Sequence, residues 1–576
     1  MRSFPLLMLA AATAWSQPWP PQREIPAGPA DALYYNGKIV TMWPERPVVE
    51  SMTIADGRVL DVGITQVVGR KAGPRTRQIN LGGRTVVPGL IDSHVHPISA
   101  ALAESEREIP VLRSFGDIQA FVELAIEEQS AVLVFVPKVY STRLRERRYP
   151  NRWEIDEYSG DRPVVLDNGY AAVLNSAALR QAGISNSSLD PSNGKLVRND
   201  DGEVTGLIIG ARQLVSPLLS ARRHSHVQRV EALRRMQRAY NSVGITSVID
   251  RSQGVEGLRA YREIREDGTM RVRTYVTRTV NAERPLDEVL EAIEALGPAT
   301  GAGDEMLRVG SLKVFLDGGI LLGTAFMRTP YGENTEVYGF DDPDYRGELR
   351  VQPDKLRSIV RTAARLGWQM TAHTTGGGST DILLEAYEAV NQETSITDRR
   401  FALTHANFLS VEAIRRAANL GVVVDMQPAW YHFDGPALSQ ALGDQRMARL
   451  QPYRAILDAG VIVAGGSDHM IKLDPRESLN PYDPFFGMWM VATRIAADGH
   501  VYNPEQRISR EEALRMWTWN AAYLSFEEGV KGSLEPGKYA DFVVLDRDIL
   551  TCPDDKLRET RVLETLLAGK TVYRSE

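Results

Sequence analysis

Two histidines stand two residues apart in the stretch VVPGLIDSHVHP, residues 86–97, directly after an apolar run. In a β-strand, residues i and i+2 point to the same side, so Asp92, His94 and His96 are expected to share one face at a strand end. Three polar side chains on one face of a buried strand are costly unless something binds them. A metal ion would satisfy both imidazoles. The alternative is a polar strand end with solvated histidines.

Other candidate ligands also stand near the ends of apolar, strand-like runs. Of the nine histidines in the chain, His373 lies in QMTAHT and His405 lies in FALTHAN, while Asp468 follows VAGGS. The carboxyl ends of strands in one closed sheet meet at a single rim, even when they are far apart in the sequence. Together with His94 and His96, these side chains predict a metal centre.

Lys313 lies in the apolar run SLKVFLD, where its side chain is expected to share a face with Phe315 and Asp317. A lysine on the inward face of a buried strand is hard to bury in its charged form. One solution is deprotonation and reaction with carbon dioxide. The product is a carbamate, an anion whose two oxygens are able to bridge two cations. The alternative is a salt bridge from Lys313 to Asp317 or Asp468.

A scaffold for these residues is indicated by the middle of the chain, where apolar runs alternate with helical patterns. Strands are predicted at residues 86–94, 244–250, 271–278, 311–317, 368–374, 401–407, 421–427 and 461–468. Alternating strands and helices indicate a parallel sheet, and eight such units indicate a (β/α)8 TIM barrel with its active site at the carboxyl ends of the strands. A doubly wound open sheet is the competing α/β arrangement, but it gives no reason for eight units.

Segments rich in short strands and turns flank the predicted barrel. We expect residues 31–85 and 526–576 to form one small β-sandwich domain from both termini, with the barrel at residues 86–525 between them. Residues from about 100 to 230 contain their own turns and are expected to form an insertion after the first barrel strand. Residues 17–30 are rich in proline and predict a linker.

Residues 1–16 have the pattern of a short secretory signal peptide. Arg2 precedes an apolar run, and Ala12-Thr13-Ala14 resembles a signal-peptidase site. The run is too short for a transmembrane helix, and no cysteine follows it to carry a lipid, so no stable membrane anchor is expected. The predicted location is secreted or periplasmic. The alternative is an unprocessed apolar tail.

The composition is that of an ordinary globular protein, with 576 residues, 43% hydrophobic and 24% charged. A net charge of −7 argues against a nucleic-acid partner. The one cysteine, Cys552, excludes an internal disulfide and a cysteine-based metal cluster. A small-molecule substrate is the partner expected for the predicted metal centre, and the oligomeric state stays open.

The motifs VPGLIDSHVH, LKVFLDGG, ALTHA, GGSD and GSLEPGKYADFVVLDRD resemble the metal-dependent amidohydrolase superfamily. The resemblance is to its amidohydrolase-3 branch, which includes enzymes similar to N-substituted formamide deformylase, and it covers about residues 31–576. It implies a distorted (β/α)8 barrel with a small β-sandwich, and hydrolysis of a carbon–nitrogen bond other than a peptide bond. The implied ligands are His94, His96, a bridging carboxylated Lys313, His373, His405 and Asp468.

The sequence departs from this branch at three positions. Tyr170 stands in place of a usual histidine, Gly377 replaces an acid, and Gly323 replaces an arginine. All three lie beyond the expected ligands, where substrate would be contacted, so the substrate preference of relatives does not transfer. Candidate substrate contacts in this region and in the loops after strands seven and eight are Tyr170, Trp430, His432 and His469.

The hypothesis for the chemistry is hydrolysis by a hydroxide that one or two zinc ions activate. His94 and His96 hold one ion, His373 and His405 hold the other, and Lys313 carbamate bridges them. Mn2+, Fe2+ or Co2+ also suit such ligands. Asp468 takes a proton from the nucleophile and delivers it to the departing nitrogen. The alternatives are an esterase or lactonase, a metal-dependent isomerase or decarboxylase, and a non-catalytic secreted binding protein.

Overall fold

The computed structural model describes residues 19–105, 107–128, 132–191, 194–210, 212–219, 224–297, 299–340 and 342–576. The predicted signal peptide, residues 1–16, lies outside these described residues. Within them, no helix combines the length and the apolar character that a membrane crossing requires.

Short strands precede the barrel. They are β1 (Ala30–Tyr35), β2 (Lys38–Val40), β3 (Val48–Val49), β4 (Ser51–Ala55), β5 (Arg58–Gly63), β6 (Ala72–Asn80) and β7 (Thr85–Pro88). One sheet has the strand order β5–β4–β1–β6, while β2, β3 and β7 belong to a second sheet. Apolar residues of both sheets, including Met52, Ile54 and Val86, pack in a shared core.

The barrel begins at β8 (Leu90–Val95), and an insertion separates this strand from the next barrel strand. The insertion contains β9 (Val134–Pro137), β10 (Val164–Asp167), β11 (Ala171–Leu174), β12 (Lys195–Arg198) and β13 (Val204–Ile209). These strands form a sheet of their own in the order β12–β13–β11–β10–β9. Tyr140 follows β9, and Tyr170 lies in the turn between β10 and β11.

The barrel continues with β14 (Ile245–Gln253), β15 (Arg273–Thr279), β16 (Leu307–Phe315), β17 (Met370–Thr374), β18 (Ala402–His405), β19 (Val423–Met426) and β20 (Val463–Gly465). Within the described part of the chain, eight parallel strands form one sheet in the order β20–β19–β18–β17–β16–β15–β14–β8. This confirms the predicted α/β class and the distorted (β/α)8 barrel.

Backbone contacts beyond β20 close this sheet. Val95 and His469 form a parallel bridge. The His96 N–H donates to His469 O at 2.8 Å, and the Asp468 N–H donates to His94 O at 2.8 Å. The ends of the first and last barrel strands, which carry candidate ligands, therefore lie side by side.

The chain ends with β21 (Phe542–Leu545), β22 (Val562–Leu567) and β23 (Lys570–Arg574). They join the earlier strands in a sheet of order β23–β22–β21–β7–β2–β3. Both ends of the chain thus build the β-domain beside the barrel, as the predicted fold class requires.

One predicted strand differs from the structure. The run at 86–94 is two strands, because β7 pairs with β21 in the terminal sheet while β8 pairs with β14 in the barrel. Gly89 separates them. A Cβ at this position would lie 2.8 Å from Thr246 Cγ2, so only glycine permits this close approach.

Helices cover and connect the strands. Val411–Asn419 is typical: Ser410 caps its first turn by accepting a hydrogen bond from the Ala413 N–H, and its buried residues include Ile414. The α-helices are Thr65–Val68, Pro97–Ala103, Phe115–Glu127, Arg152–Ser159, Ser176–Gln181, Arg212–Leu219, His226–Ser242, Val255–Glu266, Leu286–Glu294, Pro353–Arg365, Gly377–Glu393, Val411–Asn419, Ala429–Leu442, Asp444–Met447, Tyr453–Asp458, Pro484–Thr493, Arg510–Arg515, Ala521–Leu524 and Asp554–Leu557.

Candidate metal centre

The two histidines of the first barrel strand meet the aspartate that follows the last one. Asp468 Oδ1 lies 3.3 Å from His94 Nε2 and 3.3 Å from His96 Nε2. One donor atom from each of the three residues lies within 4.8 Å of the others. Asp468 is more than 370 positions from the two histidines in the sequence, so the closure of the barrel is what brings the three side chains together.

Close packing at the end of β20 sets the position of Asp468. A Cβ on Gly466 would lie 2.7 Å from the Cβ of His94, so the glycine lets the two backbones approach. Asp468 itself has a φ of 55°, a left-handed conformation that is uncommon for a residue other than glycine. Its backbone carbonyl accepts a hydrogen bond from Asn480 Nδ2 at 2.8 Å. The carboxylate is therefore held by its main chain on both sides.

A carboxylate of strand β19 orients the imidazole of His94. Asp425 Oδ2 lies 3.0 Å from His94 Nδ1, and both side chains are fully buried. Asp425 also accepts a hydrogen bond from Ser93 Oγ at 2.8 Å and pairs with Arg251 Nη2 at 3.0 Å. With Nδ1 donating to Asp425, the buried Nε2 of His94 has no hydrogen-bond partner among the described residues. A nitrogen in this state is suited to bind a cation.

The histidines of strands β17 and β18 extend this cluster. The ring centres of His405 and His94 are 4.8 Å apart, and those of His405 and His373 are 4.5 Å apart. Gln427 Oε1 lies 2.7 Å from His405 Nδ1. Burial is the main cause that lowers the pKa of His94, His373 and His405 well below the usual value. These imidazoles are therefore neutral, which is the form that ligates metals.

Lys313 lies on strand β16 and is 1% exposed. Its Nζ lies 5.2 Å from the ring centre of Phe315. Among the described residues, no carboxylate comes within 4.0 Å of this nitrogen, so the alternative to carboxylation, a salt bridge to Asp317 or Asp468, is not formed. Burial lowers the pKa of Lys313 to about 8.

Two buried aspartates fix backbone around the cluster. Asp92 Oδ1 accepts hydrogen bonds from the backbone N–H groups of His94 and Ser467, both at 3.0 Å, and so ties the first strand to the last. Asp317 accepts from the Gly376 N–H at 2.8 Å and from Ser379 Oγ at 2.7 Å. These contacts hold the loops after strands β16 and β17.

Two of the predicted substrate residues lie against the ligand histidines. The Tyr170 hydroxyl is 3.5 Å from His373 Nε2. Trp430 stacks on His405, with ring centres 4.7 Å apart, and its buried Nε1 has no hydrogen-bond partner among the described residues.

The other two predicted substrate residues lie farther out. His432 Nδ1 lies 2.7 Å from the Ile495 carbonyl, and the ring faces a cavity beside the cluster. His469 is fully buried, with Nδ1 3.1 Å from the Tyr240 hydroxyl and Nε2 2.7 Å from the Lys472 carbonyl. Both ring nitrogens of His469 are therefore engaged within the protein.

The space at Gly377, where the branch usually has an acid, is filled by an arginine. The Arg328 guanidinium lies where a Cβ of Gly377 would be, and it forms a two-bond salt bridge with Asp381 at 2.6 and 2.7 Å. At Gly323, with a φ of 67°, a Cβ would meet the Tyr338 ring at 2.7 Å. Both departures are thus accommodated by side chains of this protein.

Comparison with known proteins gives the family. The sequence model of the amidohydrolase family matches residues 77–573. The chain belongs to the amidohydrolase family. This confirms the predicted family and enzyme class, an amidohydrolase, which is a hydrolase of carbon–nitrogen bonds other than peptide bonds and acts on small-molecule substrates.

Relatives match this amidohydrolase over nearly its whole length. Protein LONG AFTER FAR-RED 3 of Arabidopsis thaliana is 30% identical over 95% of this chain and 92% of its own length. N-substituted formamide deformylase of Arthrobacter pascens is 28% identical over 94% of this chain and 98% of its own. The crystal structure of an uncharacterized metal-dependent hydrolase from Pyrococcus horikoshii has a TM-score of 0.68 at 22% identity, and it covers 91% of this chain and 99% of its own. The last match supports the fold.

Sequence reasoning missed the residues that orient the ligands of the amidohydrolase. Asp425 and Gln427 are two positions apart at the end of strand β19, and Arg251 lies near the end of β14. Inward-facing polar residues at the carboxyl end of a barrel strand carry a signal that could have identified Asp425 and Gln427. Their partners could not be read from the sequence, because they depend on the register between strands.

Proposed function

We propose that this amidohydrolase uses a metal centre to hydrolyse the carbon–nitrogen bond of a small amide-like compound. The observation that carries the proposal is the convergence of His94, His96 and Asp468, whose donor atoms lie within 4.8 Å of one another. The buried Nε2 of His94, which has no hydrogen-bond partner among the described residues, supports it, because an unpaired polar atom in this position is costly unless a ligand binds it.

The residues that would hold the metal are the predicted set. His94, His96 and Asp468 form one group, and the proposed set is completed by His373, His405 and carboxylated Lys313. Nitrogen and oxygen donors of this kind suit one or two Zn2+ ions, and also Mn2+, Fe2+ or Co2+. When bound, the ion supplies Lewis acidity, which polarises the substrate carbonyl and makes water a better nucleophile at neutral pH.

Carboxylation of Lys313 is supported by its surroundings. A pKa of about 8 leaves part of the amine neutral near pH 7, and the neutral amine is the form that reacts with carbon dioxide. The ammonium first loses one proton to give the amine. The nitrogen lone pair then forms the N–C bond as one C=O π bond of carbon dioxide opens onto its oxygen, and a second proton leaves the nitrogen, which gives an anionic carbamate. Because no carboxylate lies within 4.0 Å of Lys313 among the described residues, no salt bridge competes with this reaction.

Asp468 is the proposed acid and base. Its carboxylate accepts a proton from the attacking water and returns it to the departing nitrogen, since an amine leaves poorly without that proton. The main-chain contacts of Asp468 hold the carboxylate in place for both transfers. This pre-organised position is what a general acid and base needs.

Tyr170 and Trp430 are the proposed substrate contacts beside the ligands. Burial raises the pKa of Tyr170, so its hydroxyl stays protonated and donates to the substrate oxygen. The Nε1–H of Trp430, whose ring stacks on His405, has no hydrogen-bond partner among the described residues and is a second donor. Donors placed where negative charge develops stabilise the transition state.

The test is a substrate screen with purified protein whose metal content has been measured. N-formyl and N-acyl amides are assayed beside esters and lactones of matched acyl groups, before and after treatment with a chelator. We expect hydrolysis of amides that is lost on metal removal and restored by added Zn2+ or Mn2+. Metal-free preparations with undiminished turnover, or hydrolysis of esters alone, would contradict the proposal.

We also propose that the protein is exported, on the basis of the signal-like residues 1–16. Expression in a bacterium, fractionation and N-terminal sequencing of the purified protein test this. A mature chain that begins shortly after Ala14 in the periplasm or medium is expected. Recovery of the full-length chain in the cytoplasm alone would overturn the proposal.

A further inference from the structure

A cavity of about 1220 Å3 lies beside the metal centre at the carboxyl ends of the barrel strands. Its walls come from the insertion, from the helix after β19, from the long segment after β20 and from the helix Asp554–Leu557 with the following Arg558. Tyr140, Phe433 and Trp489 supply aromatic surface, and His432 lies among them, 5.5 Å from Trp489 by ring centres. Apolar and polar groups share this wall, which suits a small organic molecule that has both kinds of surface.

This cavity lies on the Asp468 side of the metal centre. Arg143, which lines the cavity, donates from Nη2 to Asn480 Oδ1 at 3.1 Å, and Asn480 in turn donates to the Asp468 carbonyl. Tyr140, on the same wall, reaches Met470, two residues after Asp468, with its hydroxyl 3.9 Å from the sulfur. Residues of the cavity wall therefore contact the segment that holds Asp468.

Arginines without an acidic partner line the cavity. Arg147 donates to the Thr142 carbonyl, Arg507 Nε donates to the Thr493 carbonyl at 2.9 Å, and the Arg558 guanidinium lies 4.7 Å from the ring centre of Trp489. Within the described chain, none of these three arginines has a carboxylate within 4.0 Å. Each is thus anchored by one contact, and Arg558 in addition attracts Glu559 from beyond this distance.

The carboxylates that line the same cavity each have a partner. Glu477 lies 3.8 Å from Lys472, and Asp555 lies 3.8 Å from Lys556. Asp554 pairs with Arg510, and Asp498 lies 3.2 Å from His500 and accepts a hydrogen bond from Tyr502. The cavity therefore presents a local excess of positive charge, although the whole chain carries a net charge of −7.

We propose that this cavity receives the amine portion of the amide substrate, and that this portion bears an apolar or aromatic body and a carboxylate. The aromatic wall contacts the body, while Arg507 and Arg558 bind the carboxylate. This inference rests on the proposed function, because it takes Asp468 as the group that protonates the leaving nitrogen. It assigns N-acylated amino acids with a small acyl group, and compounds like them, as the substrate class.

The experiment compares N-formyl-phenylalanine with N-formyl-phenethylamine, which differ only in the carboxylate. With the metal-loaded enzyme we expect kcat/KM to favour the acid about tenfold, as charge-assisted hydrogen bonds of an arginine to a carboxylate would give. In an Arg507→Gln, Arg558→Gln double variant this preference is lost, so that the ratio of kcat/KM for the acid to kcat/KM for the neutral amide falls to about one. Arg561→Gln is the matched control, because this exposed arginine pairs with Asp546 and does not line the cavity.

Calorimetry with 3-phenylpropionate and 3-phenylpropan-1-ol supplies a readout that needs no turnover. We expect the acid to bind more tightly than the alcohol, and the double variant to lose that difference. Equal binding of both compounds, or a difference that survives in the double variant, would overturn the inference. If neither amide is hydrolysed the proposed function fails, whereas hydrolysis without any preference for the acid refutes only the role of the cavity.

Discussion

The imidazole of His94 and the carboxylate of Asp425 form a buried pair, with Nδ1 3.0 Å from Oδ2. The pair joins the first barrel strand to the seventh and selects the tautomer of His94 that leaves Nε2 free for a cation. Asp425 also pairs with the buried guanidinium of Arg251, so this one carboxylate contacts both the candidate ligand His94 and Arg251. The orientation of the candidate ligand His94 therefore depends on Asp425, a residue outside the proposed ligand set.

Asp425→Asn is the first test of this relationship. An amide is a weaker acceptor than a carboxylate, and it leaves Arg251 without a counter-charge, so we expect metal affinity to fall about 10–100-fold. Competition with a chromophoric chelator measures this, and circular dichroism checks the fold. Asp458→Asn, at an exposed aspartate, is the control. Unchanged affinity in Asp425→Asn would show that His94 is oriented by its packing alone.

Asp468→Asn separates proton transfer from the rest of the chemistry. The asparagine keeps the size of the side chain and one oxygen, while it cannot accept and return a proton. We expect kcat to fall about 10²–10⁴-fold, the usual contribution of a general acid and base. Metal content is measured in the same preparation, so that a loss of rate in fully loaded protein is assigned to Asp468. A variant with wild-type turnover would rule out the proton-transfer role.

Lys313→Met tests carboxylation directly. In protein prepared with 13C-labelled bicarbonate, we expect a carbamate carbon signal in the NMR spectrum of the wild type and none in the variant. The methionine is apolar and close to lysine in length, so it fits a position that is 1% exposed. We also expect the variant to bind fewer metal equivalents. A labelled carbamate signal that persists in Lys313→Met would place the modification elsewhere.

Glu348 gives a prediction for stability against pH. Burial raises its pKa from 4.5 to about 7 in the folded protein. In the unfolded chain the carboxyl loses its proton first, so the contribution of Glu348 to stability is full below about pH 4.5 and is lost as the pH rises through 7. We expect the free energy of unfolding of the wild type to fall by about 1–3 kcal/mol across this pH range because of Glu348, and this fall should be absent in Glu348→Gln.

Urea denaturation of wild type and Glu348→Gln at pH 5 and pH 8 measures that difference. Glu333→Gln, at an exposed glutamate nearby, should leave the pH dependence as it is in the wild type. Parallel stability curves for the wild type and Glu348→Gln would show that the folded and unfolded states bind the Glu348 proton equally.

The strand ends that carry the site could be predicted from the sequence, because a period of two and a terminal polar residue are local signals. His373 in QMTAHT and His405 in FALTHAN are at such positions, and both lie at the ends of barrel strands. Lys313 was predicted to be buried for the same reason. Its lack of a salt bridge within the described chain could not be predicted, since this depends on where Asp317 and Asp468 point in space.

Long-range pairing accounts for the rest. The end of the terminal sheet at Pro88 and the start of the barrel at Leu90 look like one apolar run, since only the partners of each strand distinguish them. The cavity arginines Arg147, Arg507 and Arg558 come from three distant segments, so no local pattern unites them. Contacts between residues that are distant in the sequence cannot be predicted from local sequence patterns.

The closing contacts of the barrel have a mechanical consequence. Val95 bridges to His469 and Asp468 donates to His94 at the boundary where strand one meets strand eight. A cation coordinated by His94, His96 and Asp468 would cross-link the two borders of that boundary. Removal of this cation should weaken the boundary between the first and last barrel strands before other parts of the barrel. The amide hydrogens at this boundary should then exchange with solvent sooner than those between β16 and β17.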